Sequence, residues 1–408
     1  MSDANMPQSR KEASVNIITT GWRADAMARW LLDDLHRPNA ELDFLTDLCA
    51  RLNTEGMDLQ RVFCGLLSLH PLYVSRNLIW RPDQEAEVVL RGHDAMQSEY
   101  YLKSPIHLIH QGAPQVRQRL DLDDDLLEFD IWRELKAEGA TDYIGLPMRF
   151  STGEVNVMSF ATRRPGGYDA AQIERLKELV PLMSLRFELM NAYFATGSLL
   201  GTYLGEAAAR RVLAGTIHRA EGEALRAAIY LCDLRGFTRL SDRLEGPEII
   251  EILDDYFDCM IEPVKAMGGE VLKFMGDGML AIFPMDDRTA WLASHSALAA
   301  AVEGVANLAD LNRSRKGDGK PELKVGIGLN VGDVIFGNIG SADRLDFTVI
   351  GRAVNEVSRV ETLTRPLNRP ILMTESFAKL ASQGTKLESL GFHVLPGVSQ
   401  PSEIFSPA

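Results

Sequence analysis

Two apolar β-type runs, one ending on an aspartate and the other folding back around one, constrain this chain most. Ala228-Ile-Tyr-Leu-Cys-Asp-Leu-Arg-Gly-Phe-Thr238 is apolar up to Asp233 and then opens into the loop Arg235-Gly236-Phe237-Thr238, with a helix beyond. Such a loop offers backbone N–H groups to an anion. Val271-Leu-Lys-Phe-Met-Gly-Asp-Gly-Met-Leu-Ala-Ile-Phe283 predicts a β-hairpin whose tip, Met275-Gly276-Asp277-Gly278, carries a second carboxylate. In neighbouring strands the two tips meet. Bare carboxylates side by side repel, and a divalent cation such as Mg²⁺ removes the conflict. A pair of metals there suits a triphosphate, a hydroxyl to be activated and a leaving oxygen. Taken singly, Asp233 is an ordinary helix cap and Asp277 an ordinary turn residue.

Residues elsewhere in the C-terminal region favour the site. Lys273 stands between Leu272 and Phe274 in an apolar strand, where a lysine needs a partner. Leu345-Asp-Phe-Thr-Val-Ile-Gly-Arg-Ala-Val-Asn-Glu-Val-Ser-Arg359 reads as a strand turning at Gly351 into a helix. On that helix Asn355 and Arg359, four apart, share a face. A neutral donor and a guanidinium aimed together suit an oxyanion or a transferring phosphoryl group.

From about Arg226 to the C-terminus these motifs resemble the catalytic domain of class III adenylate and guanylate cyclases. The resemblance implies a ferredoxin-like α+β domain in which Asp233 and Asp277, with the Leu234 carbonyl, hold two Mg²⁺ ions, Mn²⁺ substituting. It implies that the amides of Gly236, Phe237 and Thr238 bind the β- and γ-phosphates. Lys273 and Thr348 fall where the family selects the base, and Asn355 and Arg359 where it orients the ribose and stabilises the α-phosphate. Family members work as dimers, so a parallel homodimer is expected. Adenine offers an acceptor at N1 and donors at N6, matching the Lys273 ammonium and the Thr348 hydroxyl, whereas guanine reverses the pattern. ATP is the expected substrate and 3′,5′-cyclic AMP the product. Alternatives are a guanylate cyclase and a catalytically silent nucleotide-binding scaffold. Thr348 replaces the more common Asp and resembles a subgroup described as bicarbonate-responsive. Pro396 stands where relatives often place a phosphate-binding lysine.

The chain's 408 residues accommodate two domains with linkers, and 46% hydrophobic and 25% charged residues describe globular material. A net charge of −14 argues against a nucleic-acid partner. No run reaches the ~20 apolar residues of a membrane span, so a cytoplasmic location without membrane insertion is expected. Cys49, Cys64, Cys232 and Cys259 lack metal-ligand spacing and read as reduced core residues.

The expected layout is a polar disordered tail over 1–20, a sensor domain over 21–168, a long helix and transducer over 169–225, and the catalytic domain over 226–408. Asp25 to Leu35, Glu41 to Leu52 and Leu59 to Leu69 have helical spacing, followed by strand-like runs at Tyr73 to Trp80 and Glu87 to Arg91. A hairpin over Tyr143 to Phe160 and the helix after Asp169 resemble a GAF-type sensor, whose small-molecule or protein signal stays unnamed. His107 and His110 are an incomplete metal set and read as packing residues. In the long helix Ile173, Leu176, Val180, Met183, Phe187, Met190 and Phe194 predict a coiled-coil seam. In the catalytic region Ile249, Ile250, Leu253, Phe257, Met260, Ile261 and Val264 predict one helix face, Lys324 to Phe336 a hairpin with glycines at close-packing points, and the helices one layer on an antiparallel sheet.

Overall fold

The computed structural model describes residues 25–33, 41–216, 218, 222–242, 244–341, 344–397 and 400–408. The tail expected over 1–20, and residues 34–35 of the first expected helix, lie outside the described residues. The chain divides into two compact units, the first ending at Thr196 and the second beginning at Gly197.

The first unit contains α1 (Ala26–Asp33), α2 (Glu41–Thr54), β1 (Leu59–Leu67), β2 (Ser75–Trp80), β3 (Glu87–Arg91), α3 (Glu99–Leu102), α4 (Pro105–His110), β4 (Val116–Arg119), α5 (Asp130–Ala137), β5 (Asp142–Arg149), β6 (Val155–Thr162) and α6 (Ala170–Leu204), the last of which runs on past the boundary. Its six strands form an antiparallel sheet in the order β3-β2-β1-β6-β5-β4. The helix expected over Leu59 to Leu69 is instead strand β1, paired with β2 and β6. Val62, Cys64 and Leu66 enter the core with α1, α2 and α6, while Phe63, Gly65 and Leu67 face the other side. A strand apolar on both faces shows no clean alternation, and its Leu and Val positions happened to match a helical period.

The seam expected of α6 is also corrected. Ile173, Leu176, Val180, Met183, Phe187 and Met190 are buried in the first unit's own core. A sheet face satisfies a spacing of three and four as well as a second helix does. At that core's edge Arg76, almost fully buried, holds Glu41 through both terminal nitrogens, at 2.5 and 2.9 Å, and donates to Asn191 Oδ1 at 2.9 Å. These bonds tie β2 to α2 and α6, and a buried guanidinium requires such partners.

The second unit contains α7 (Glu206–Leu213), β7 (Gly222–Leu234), α8 (Phe237–Ser241), α9 (Gly246–Ala266), β8 (Glu270–Met275), β9 (Gly278–Met285), α10 (Ala290–Gly317), β10 (Val325–Gly340), β11 (Leu345–Ile350), α11 (Arg352–Leu363), β12 (Ile371–Thr374), α12 (Glu375–Ala381), β13 (Leu387–His393) and β14 (Ser402–Pro407). The sheet order is β13-β14-β12-β10-β7-β9-β8, with β11 paired to β10. All pairs are antiparallel except β10 with β12, which the α11 crossover makes parallel.

Helices cover both faces of this sheet, not one. Ala228, Tyr230 and Cys232 of β7 pack with α9, α10 and α12, whereas Ala227, Ile229 and Leu231 pack with α7 and α11. That two-sided burial makes β7 a continuous apolar run. The hairpin expected over Lys324 to Phe336 is one unbroken strand, β10, whose hairpin partner is β11. Its glycines are indeed close-packing points: a Cβ on Gly328 would fall 2.7 Å from Val357 O, and one on Gly332 would fall 2.5 Å from Ala353 Cβ. Of the expected α9 face, Met260 and Val264 are buried and Leu253, Phe257 and Ile261 pack against the same core, while Ile250 is exposed and Ile252 and Tyr256 complete the buried stripe.

Candidate functional site

Asp233, next to last in β7, pairs with Gly278 on β9 and Gly326 on β10. Both flanking residues lack side chains, which clears space around the carboxylate. A Cβ on Gly278 would fall 3.3 Å from Asp233 Oδ1. The hairpin turn is Gly276-Asp277 between the paired Met275 and Gly278, with Gly276 at φ 67°. It brings Asp277 within hydrogen-bonding reach of Asp233. Burial, then the Asp277 charge and the shared hydrogen bond, push the Asp233 carboxyl up to about 6, against the lowering effect of the Leu234 N–H.

A third carboxylate, unforeseen from sequence, lies near enough to feel the charge of this pair, although among the described residues no three such groups come together as a metal site. Glu361, near the end of α11, is pushed up to about 7 by burial and by the Asp233 charge, with Asp277 adding to it. The Thr364 hydroxyl and Arg235 oppose that shift. Arg235 is the local structural cation. It donates to Thr364 O at 2.8 Å and Arg369 O at 2.6 Å, and its own N–H donates to Lys324 O at 2.7 Å. These bonds hold the loop after Asp233 against the end of α11. Beyond Arg235 comes Gly236 at φ 79°, a left-handed conformation that favours glycine. The N–H groups of Phe237 and Thr238, first in α8, have no backbone acceptor among the described residues.

The Lys273 side chain finds the partner its strand demands in Asp346 of β11, 3.4 Å away. A register shift between Val271 and Lys273 lets Leu272 enter the core beside it. In β11, Phe347 and Val349 are core residues, so Asp346 and Thr348 share the opposite face. Thr348 is 5% exposed, and its hydroxyl has no hydrogen-bond partner among the described residues. Asn355 is exposed on α11 and Arg359 half-buried one turn on. A Cβ on Gly397 would fall 3.1 Å from an Arg359 terminal nitrogen, so the Pro396-Gly397 turn lies against that guanidinium.

Three clusters result: Asp233 with Asp277 and the Gly236 loop, Lys273 with Asp346 and Thr348, and Asn355 with Arg359. Among the described residues no hydrogen bond or ion pair joins one cluster to another. The acidic cluster has an all-oxygen donor set and a charge conflict that a hard cation relieves, so these residues fit Mg²⁺. His110 Nδ1 is engaged by the Tyr101 hydroxyl at 2.7 Å, and the Cys49, Cys64 and Cys232 thiols are buried in the cores.

Residues 222–404, within the second unit, match the model of the adenylate and guanylate cyclase catalytic domain. An adenylate cyclase of Anabaena cylindrica is 38% identical over 155 residues, which is 38% of this chain and 30% of that protein. The adenylyl cyclase CyaB from P. aeruginosa is 26% identical with a TM-score of 0.43, covering 46% of this chain and 96% of that one. The guanylyl cyclase Cya2 is 32% identical with a TM-score of 0.41, covering 46% and 93%. The chain spans about a third of the length of the curated relatives it matches. The second unit carries a class III adenylate and guanylate cyclase catalytic domain. Among the described residues no helix is long and apolar enough to cross a membrane.

Proposed function

We propose that this chain is an adenylate cyclase, converting ATP to 3′,5′-cyclic AMP and pyrophosphate at a homodimer interface. The observation that carries the reading is the Asp233–Asp277 pair, two carboxyls in hydrogen-bond reach on adjoining strand ends beside a loop whose N–H groups have no backbone acceptor among the described residues. Asp233, Asp277 and the Leu234 carbonyl are the proposed ligands of Mg²⁺. When bound, the metal neutralises phosphate charge and lowers the pKa of the ribose 3′-hydroxyl.

The chain's own groups divide the remaining work. The Phe237 and Thr238 amides bind the terminal phosphates, with Gly236 giving the turn that presents them. Lys273, oriented by Asp346, donates to adenine N1, and the Thr348 hydroxyl accepts from the N6 amino group. The missing partner of that buried hydroxyl supports this, since a buried polar group normally has one. Asn355 orients the ribose, and Arg359 stabilises charge on the α-phosphate in the in-line transition state. Glu361 and Arg235 position the acidic cluster. The separation of the three clusters within one chain supports a dimer whose partner completes each site. The sheet of the first unit, with helices on both faces, supports a GAF-like sensor.

The test is incubation of the purified chain with Mg²⁺ and either ATP or GTP, with products identified by mass spectrometry. Cyclic AMP as the dominant product supports the reading, and cyclic GTP-derived product in excess favours a guanylate cyclase. No cyclic product from either nucleotide favours a silent scaffold.

A further inference from the structure

The first unit carries a half-open chamber of about 540 Å³ between its sheet and the short helices α3 and α4. That volume suits one drug-sized molecule. Strand alternation explains how it forms. The residues of β1, β2 and β6 opposite the core-facing set are Arg61, Phe63, Gly65 and Leu67, then Ser75, Asn77 and Ile79, then Val157, Ser159 and Ala161, and all of them line the chamber.

A sheet face covered by helices is normally apolar. Here the same sheet is apolar under α5, where Val157 and Ala161 pack with Trp132, but towards β2 it carries Arg61, Ser75 and Asn77. The small residues keep the space open. A Cβ on Gly65 would fall 2.9 Å from the Phe63 ring, and one on Gly145, across the sheet, 3.0 Å from Ile109 Cδ1. Aromatic walls come from Phe63, Tyr100, Tyr101 and Tyr143.

The electrostatics of the chamber are lopsided. Arg61, half-buried, and Arg91, exposed, both line it, and neither side chain has a hydrogen bond or ion pair to a described residue. Asp94 is the one lining carboxylate among the described residues, with Glu134 and Asp130 acting on the lining residue Tyr100 from outside the wall, so the two guanidiniums outnumber the acid within the lining itself. His110, also in the lining, already bonds Tyr101. The Asn77 amide accepts from Ser75 but donates to no described residue. Guanidiniums without an ion-pair partner among the described residues, set beside aromatic walls, match a planar oxyanion attached to an apolar body.

We propose that this chamber binds a small organic oxyanion, a carboxylate or phosphate monoester with an apolar body, whose charged end meets Arg61 and Arg91 and whose body lies along Phe63, Ile79 and Tyr143. The inference does not depend on the cyclase reading, and its test reads binding rather than turnover.

The probes are 3-phenylpropionate and phenyl phosphate, with 3-phenylpropionamide as the neutral counterpart, and octanoate paired with octanol. Each is titrated into the full chain and followed by saturation-transfer NMR and thermal shift. At least one anion should bind ten-fold or more tightly than its neutral counterpart, and the carboxylate and phosphate arms show which head group is preferred. Arg61→Gln should erase that preference while leaving the melting temperature of the free chain unchanged. Gly65→Leu, checked for folding by circular dichroism, should exclude every probe. Failure of all anions to bind, equal binding of the neutral counterparts, or an anion preference that survives Arg61→Gln overturns the proposal. Should Gly65→Leu not fold, the Arg61→Gln comparison decides alone.

Discussion

The carboxylate of Glu361 lies directly over Gly326, the residue paired with Asp233 across β7 and β10. A methyl group on Gly326 would collide with Glu361 Oε1 and Thr364 Oγ1 together. The end of α11 is thereby seated against the strand position next to the acidic pair.

Gly326→Ala should therefore push Glu361 and Thr364 off the sheet and loosen the Arg235 contacts. We expect a loss of cyclase rate of about ten-fold or more, because a displacement near 1 Å suffices for that. Gly246→Ala, which meets no described residue within 4 Å, is the control and should leave the rate unchanged. Steady-state kinetics of the two variants checks this.

The acidic cluster makes a signed prediction for pH. Asp233, raised from 3.8 to about 6, and Glu361, raised from 4.5 to about 7, bind protons more tightly in the folded chain than in the unfolded one. Without metal, stability should fall as pH rises from about 4 to about 7. Because both groups remain partly in water, the loss is on the order of 1 kcal/mol each. Mg²⁺ should restore stability above that window. Asp277→Asn should raise the metal-free melting temperature at pH 8 by roughly 2–4 °C and weaken the response to Mg²⁺. Calorimetry with and without EDTA reads both effects.

Thr348→Val separates recognition from folding. Its buried hydroxyl has no partner among the described residues, so removing it should leave the melting temperature unchanged or slightly higher. The ratio of kcat/KM for ATP over GTP should drop by about ten-fold if the hydroxyl reads the base. Asp346→Asn should raise KM for ATP more than it lowers kcat, since Asp346 acts through Lys273.

Much of the catalytic region was legible because its chemistry is local in sequence. The hairpin at Gly276-Asp277 and the strand ending on Asp233 follow from turn residues and apolar runs within a dozen positions. Glu361 was not legible. Its role depends on α11 crossing β10 at three glycines, which sequence shows only as a Gly-punctuated run that also resembles a hairpin. Strand β1 and the α6 stripe are ambiguous in sequence for a related reason. Leu59, Val62, Phe63, Leu66 and Leu67 fit both a helix and a strand buried on two faces, and only pairing to β2 and β6 decides. The α6 stripe records that a face is covered, and says nothing of whether a sheet or a second helix covers it.

The most direct test of the central claim, that carboxylates of one chain act with Asn355 and Arg359 of another, is complementation between two inactive variants. Asp277→Asn and Asn355→Ala are purified separately, mixed, exchanged and assayed for cyclic AMP. Each alone should be inactive, and an equal mixture should recover about a quarter of the wild-type rate, since half the dimers then hold one intact site of two. Full activity in either single variant, or no recovery in a mixture shown to exchange subunits, would contradict the account.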